Sequence, residues 1–85
     1  MLDIVFEKDA WEELGWWVRS QPKIAKKIFE LINTAAKTPF EGIGKPEMLK
    51  GNLSGYWSRR ITQEDRLVYK VVEKTIIIAA VKGHY

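Results

Sequence analysis

Eighty-five residues, 46% of them hydrophobic and 29% charged, are enough for one small core and too few for two. With no cysteine and a single histidine, the chain has neither a disulfide framework nor a thiolate metal site, and a zinc site would have to lean on carboxylates. The net charge of +3 is unevenly spread: residues 1–42 hold six Lys or Arg against seven Asp or Glu, and residues 43–85 hold eight against four, a basic half suited to a polyanion or to a solvated face.

Residues 2–6 alternate Leu2, Ile4 and Phe6 against Asp3 and Val5, the pattern of a strand with one buried face. From Asp9 the period lengthens. Ala10, Leu14, Trp17 and Val18 share one helical stripe, and Glu12, three residues after Asp9, gives a loose capping box that puts negative charge at the helix start. Trp11 and Trp16 fall off this stripe, where they can cover a neighbour or a partner. Ser20, Gln21 and Pro22 break the helix and start another, because proline is tolerated in a first turn where its missing N–H has no intrahelical partner. In the second helix Ile24, Ile28, Leu31, Ile32 and Ala35 make the apolar stripe, and Lys23, Lys26, Lys27 and Glu30 take the wet face. Thr38 and Pro39 end it.

Residues 39–45, PFEGIGK, form a connector of restricted shape. A short extended piece over 47–50, a turn over 51–55, a strand over 56–61, a hairpin turn at 63–65 and a strand over 66–72 follow. After a tight turn at Glu73 and Lys74, the β-branched run 75–82 is apolar on both faces and belongs inside a sheet. This order predicts one α+β domain over residues 1–85. An N-terminal strand and two helices pack on one face of a small, mainly antiparallel sheet whose other face is partly open. No apolar run approaches the roughly 20 residues of a membrane span. The N-terminus carries acids where a signal peptide carries bases, so the expectation is a cytoplasmic protein with no membrane partner. No repeat, P-loop, H-E-x-x-H or GxSxG motif is present.

Strand alternation sorts the basic residues. Arg59 shares parity with Trp57 and Ile61, which sends Arg60 to the open face with Tyr56 and Ser58. Leu67, Tyr69 and Val71 make the buried set of the next strand, which leaves Arg66, Val68 and Lys70 on the same open face. In the last strand Ile76, Ile78, Ala80, Lys82 and His84 share one parity, and Lys82 favours the open face for His84. Glu47 and Lys50 arrive from the neighbouring extended piece. Attack on a phosphodiester by the adjacent 2′-OH needs a base, a cationic clamp and an acid for the departing 5′-oxygen, and each acid or base contributes typically ~10²- to 10⁴-fold. Glu47 suits the base, the arginine forks suit the phosphoryl oxygens, and His84, titrating near neutrality, suits the acid. The same residues also fit RNA binding without chemistry, with Glu47 as an arginine's ion-pair partner, Arg59 and Arg60 as sheet-surface charges and Trp57 in the core.

The segments TPFEGIGKPE at 38–47, NLSGYWSRRIT at 52–62, RLVY at 66–69 and the closing His84 and Tyr85 together resemble, in order and over essentially the whole chain, the YoeB-type toxins of the RelE superfamily, ribosome-dependent messenger-RNA endonucleases. The resemblance implies a RelE-like fold, with Glu47 as general base and His84 as general acid. It further implies Arg66 on the scissile phosphate, Lys50 and Arg60 assisting it, Tyr85 holding substrate or shaping the site, and no metal or other cofactor. It implies messenger RNA in the ribosomal A site as substrate, a cognate antitoxin as partner, and often a toxin homodimer. A non-catalytic module binding RNA or the ribosome, or a protein whose only task is to engage a repressing antitoxin, would share these residues. Three positions depart from the family pattern: Met48 stands where proline is common, Asp65 where histidine is frequent, and Gly83 where an aromatic commonly precedes the histidine. Met48 would loosen the segment that carries Glu47, and Gly83 would make the tail more mobile.

Overall fold

The computed structural model describes residues 1–83. Strand β1 (Asp3–Phe6) leads into α1 (Lys8–Ser20) and α2 (Pro22–Lys37), and the rest of the chain is β2 (Glu47–Met48), a single 3-10 turn (Gly51–Leu53), β3 (Trp57–Arg60), β4 (Arg66–Val72) and β5 (Thr75–Ala80). The sheet order is β1-β5-β4-β3-β2. Three pairings are antiparallel, and β1 joins β5 in parallel, with Asp3 opposite Thr75 and Phe6 opposite Ile78.

The helices bury the stripes that their sequences carry. Ala10, Leu14 and Trp17 of α1 and Ala25, Ile28, Leu31, Ile32, Ala35 and Ala36 of α2 pack against Leu67, Tyr69, Ile76 and Ile78 of the sheet. The alanines on α2 let it lie close to its neighbours, and the large residues of the sheet fill the space between. Val18 is the exception to the expected stripe. It lies one residue, about 100° of helical rotation, beyond Trp17, and is 48% exposed on the outer side of the helix pair. The capping box also gives way. The first helical residue is Lys8, with Glu7 ahead of it and no side-chain cap. Glu7 still donates its amide to Ile78 O at 2.9 Å, so the strand ladder runs directly into the helix and Asp9 lies inside the first turn rather than before it.

The long β-branched run departs from a single alternation. Val68 of β4 pairs with Ala80 while Tyr69 pairs with Ile78, so Ala79 is an extra residue and the register shifts there. Such an insertion reverses which parity faces the core. Ile76 and Ile78 point toward the helices, and beyond the shift it is Val81, not Ala80, that enters the core. The parity argument that set Lys82 beside Ile76 and Ile78 therefore fails. Lys82 lies beyond β5, with its Nζ 4.7 Å from the centre of the Trp16 ring on α1.

Candidate active site

The loop that delivers Glu47 is held by a buried guanidinium. Arg59 is 0% exposed on the helix side of β3, and a charge at that depth persists only where hydrogen bonds replace its water. Its Nη2 donates to Thr38 O at 2.6 Å and Glu41 O at 2.9 Å, its Nη1 to Ile43 O at 2.9 Å, and its Nε to the Tyr69 hydroxyl at 3.0 Å. The Tyr69 hydroxyl in turn donates to Pro39 O at 2.6 Å. Burial pushes the Tyr69 phenol above its ordinary value, and the hydrogen bond and charge of Arg59 pull against that rise. Four carbonyls of residues 38–43 are thus gathered around one side-chain pair. Gly44, at φ +85°, follows so closely that a β-carbon there would lie 2.8 Å from Leu31 Cδ2 and 3.0 Å from Arg59 Cβ.

From this fixed loop the chain enters β2 at Glu47, which pairs with Ser58. Ser58 pairs with Val68, and Val68 with Ala80, so one row of side chains crosses the face turned away from the helices. Ser58 and Val68 are 6% and 2% exposed, so the middle of the row is a floor of small side chains with Glu47 exposed at its edge. The next row holds Arg60 directly opposite Arg66. Diagonal neighbours in such a ladder stand about 7–8 Å apart, so Glu47 and Arg60 are within reach of one small group. On the far side of Arg66, its amide donates to Gly83 O at 2.9 Å, which brings the root of the C-terminal tail into the arginine row.

Arg66 is steadied by the hairpin turn before it. Its Nη1 donates to Thr62 O at 2.9 Å, Asp65 O at 3.1 Å and Gln63 O at 3.3 Å. Lys50 is exposed and lies just beyond β2, at the start of the 3-10 turn. His84 and Tyr85 lie outside the described residues. Of the expected set, the sheet register therefore gathers Glu47, Arg60 and Arg66 on one face, with Gly83 beside them. Alternation had found Arg59's inward direction but not its work. The usable signal was a lone inward arginine near a glycine-rich loop full of carbonyls.

A small mixed sheet carrying two helices on one face and a basic cluster on the other is the architecture of a class of bacterial toxins. A YoeB/ParE toxin from Agrobacterium tumefaciens superposes with a TM-score of 0.93 at 40% identity, over 99% of this chain and 100% of that one. A YoeB dimer from Staphylococcus aureus gives 0.91 at 47% identity, over 99% and 98% of the two chains. The toxin in a heterotetrameric YoeB–YefM toxin–antitoxin complex from Staphylococcus aureus gives 0.89 at 46%, over 100% and 99%. Toxin YoeB of Escherichia coli strain K12 is 49% identical over 84 residues, spanning 99% of this chain and 100% of that toxin. Residues 6–85 match the model of the YoeB-like toxin of bacterial type II toxin-antitoxin systems. The chain belongs to that YoeB-like toxin family.

Proposed function

We propose that this toxin is a ribosome-dependent endoribonuclease that cuts messenger RNA in the ribosomal A site. The observation that carries the reading is the pairing of Arg60 with Arg66 on the helix-free face, diagonal to Glu47. Glu47 removes the proton of the 2′-OH, and the alkoxide attacks the adjacent phosphorus. Arg66, with Arg60 beside it, takes up the charge that gathers on the phosphoryl oxygens. His84 protonates the departing 5′-oxygen, and the strands separate as a 2′,3′-cyclic phosphate and a 5′-hydroxyl. Tyr85 holds the substrate, and Lys50 assists Arg66 at the scissile phosphate. Because the nucleophile is the 2′-OH, the substrate is RNA and not DNA. The reaction calls on no cofactor.

The toxin is cytoplasmic in this reading, acts as one domain, forms a homodimer as its Staphylococcus aureus relative does, and is neutralised by an antitoxin of the kind that relative binds. Trp11, Val18 and Phe29, exposed on the outer side of the helix pair, give a protein partner apolar surface to cover. Primer extension on a message in a purified translation system, with and without ribosomes, tests the proposal. Cuts at A-site codons that need ribosomes and disappear in Glu47→Gln are the expected result. Tight ribosome binding with no cuts would replace the enzyme with a binding module.

A further inference from the structure

Beyond Ala80 the chain leaves the ladder, and side chains take over its backbone groups. Val81 N donates to Glu13 Oε1 at 2.9 Å, and Val81 O accepts from Trp17 Nε1 at 2.8 Å. Two residues later Gly83 N donates to Asp65 Oδ1 at 2.9 Å, while Gly83 O accepts from Arg66 N at 2.9 Å. The other oxygen of the same carboxylate, Asp65 Oδ2, accepts from Thr62 Oγ1 at 2.8 Å. Thr62 Oγ1 accepts in turn from the amides of Asp65 and Glu64 at 3.0 and 3.1 Å. The hairpin turn that steadies Arg66 is thus tied, through one carboxylate, to the residue that precedes His84 in the sequence. Gly83 sits at φ +99°, where an L side chain is strained. Asp65 and Gly83, eighteen residues apart in the sequence, are therefore bonded directly to each other.

We propose that Asp65 is a positioning residue: its carboxylate fixes the Gly83 backbone beside Arg66 and so holds the edge of the arginine row in its working arrangement. The role rests on the cleavage reading above. A glycine before the tail leaves that segment without a side chain to pack, and the hydrogen bond from its amide supplies the missing constraint. Asp65 touches neither substrate nor reacting atoms; it acts by holding Gly83, and misplacement of a catalytic group by about 1 Å can cost 10²-fold in rate.

The test is single-turnover cleavage by programmed ribosomes, with ribosome affinity and the exchange rate of the Gly83 amide measured beside it. Asp65→Ala is expected to lower the cleavage rate about 10- to 100-fold, leave ribosome affinity within about twofold, and lose protection at the Gly83 amide. Asp65→Asn has one acceptor for the two donors, Gly83 N and Thr62 Oγ1, that the carboxylate serves, and is expected to fall between the alanine variant and the wild type in both rate and protection. If Asp65→Ala fails to fold, Asp65→Ser, whose hydroxyl serves the turn but falls short of Gly83, is read in its place. Wild-type cleavage in the Ala or Ser variant overturns the role. So does a Gly83 amide that exchanges freely in the unaltered protein. A wild-type protein that never cuts programmed message overturns the cleavage reading itself, a result distinct from the other two.

Discussion

Arg60 and Arg66 stand directly opposite each other across the β3–β4 ladder, on the face that carries no helix. Like charges in that relation destabilise a sheet by an amount of the order of 0.2–1 kcal/mol, and an anion bound between them removes the cost. The same pair should therefore be useful to the substrate complex and harmful to the free protein. Arg60→Gln is expected to raise the free protein's resistance to urea slightly, by a few tenths of a kcal/mol, while weakening cleavage. Arg66→Ala is expected to lower the cleavage rate by about 10²- to 10³-fold, the usual range for removing one donor to a developing oxyanion. Arg66→Lys should recover only part of this, because an ammonium cannot present arginine's planar fork. Urea titrations and single-turnover rates on the same variants check both halves, and an Arg60→Gln protein with unchanged cleavage would remove Arg60 from the site.

Arg59 makes the opposite kind of prediction. It is buried and serves three loop carbonyls and a phenol at once, whereas lysine has three donors on a single nitrogen. Arg59→Lys cannot span those four acceptors, and Arg59→Ala leaves buried carbonyls without partners. A loss of roughly 2–5 kcal/mol is expected for the alanine variant, measurable as a fall in the urea midpoint. The loss in activity should exceed what the unfolded fraction explains, because the loop that sets Glu47 loosens first.

Gly44 ties that loop to the helices from the other side. At φ +85°, with Leu31 Cδ2 2.8 Å from the place of a β-carbon, it has neither the backbone freedom nor the room for a side chain. Gly44→Ala is expected to cost about 1–3 kcal/mol. Gly51, also at positive φ, has open space around the corresponding position. Gly51→Ala carries the conformational part of the cost alone and should be the milder of the two in thermal melts.

How far the sequence reveals this arrangement depends on how local the cause is. Period-two alternation placed Arg59 inward, Arg60 outward, and Leu67 and Tyr69 in the core, because β3 and the first half of β4 are regular where those residues lie. It failed along β5, where a single inserted residue, Ala79, reverses the faces, and nothing in a run of isoleucines and alanines marks which residue is extra. The parallel pairing of β1 with β5 was equally silent, since it links residues about seventy positions apart. Val81 and Gly83 are held by Glu13, Trp17 and Asp65 through backbone groups, and backbone groups carry no sequence signature of their own. The motifs around Glu47, Arg60 and Arg66 identified the family, but the support beneath them becomes visible only when the hydrogen bonds are followed.

Tyr69 provides a test of that support by pH. Its phenol is raised above the ordinary value of 10.0, chiefly by burial, with Arg59's hydrogen bond and charge acting in the other direction. The folded state therefore holds the phenolic proton to higher pH than the unfolded chain does. Between the unfolded and folded values the native state binds more protons, so stability falls as pH rises. The contribution is fully present below about pH 10 and is lost as pH climbs through the folded value. The ionised phenolate could no longer donate to Pro39 O, which would be left facing a negative charge. Urea unfolding at steps from pH 8 to pH 11 should show stability declining above pH 10 more steeply in the wild type than in Tyr69→Phe. The phenylalanine variant starts lower at pH 8, having lost the Pro39 and Arg59 hydrogen bonds, and the two curves approach each other at the alkaline end. Parallel curves would mean that Tyr69 ionises as readily in the fold as in the open chain, and that its hydroxyl does not hold the loop in the way its geometry indicates.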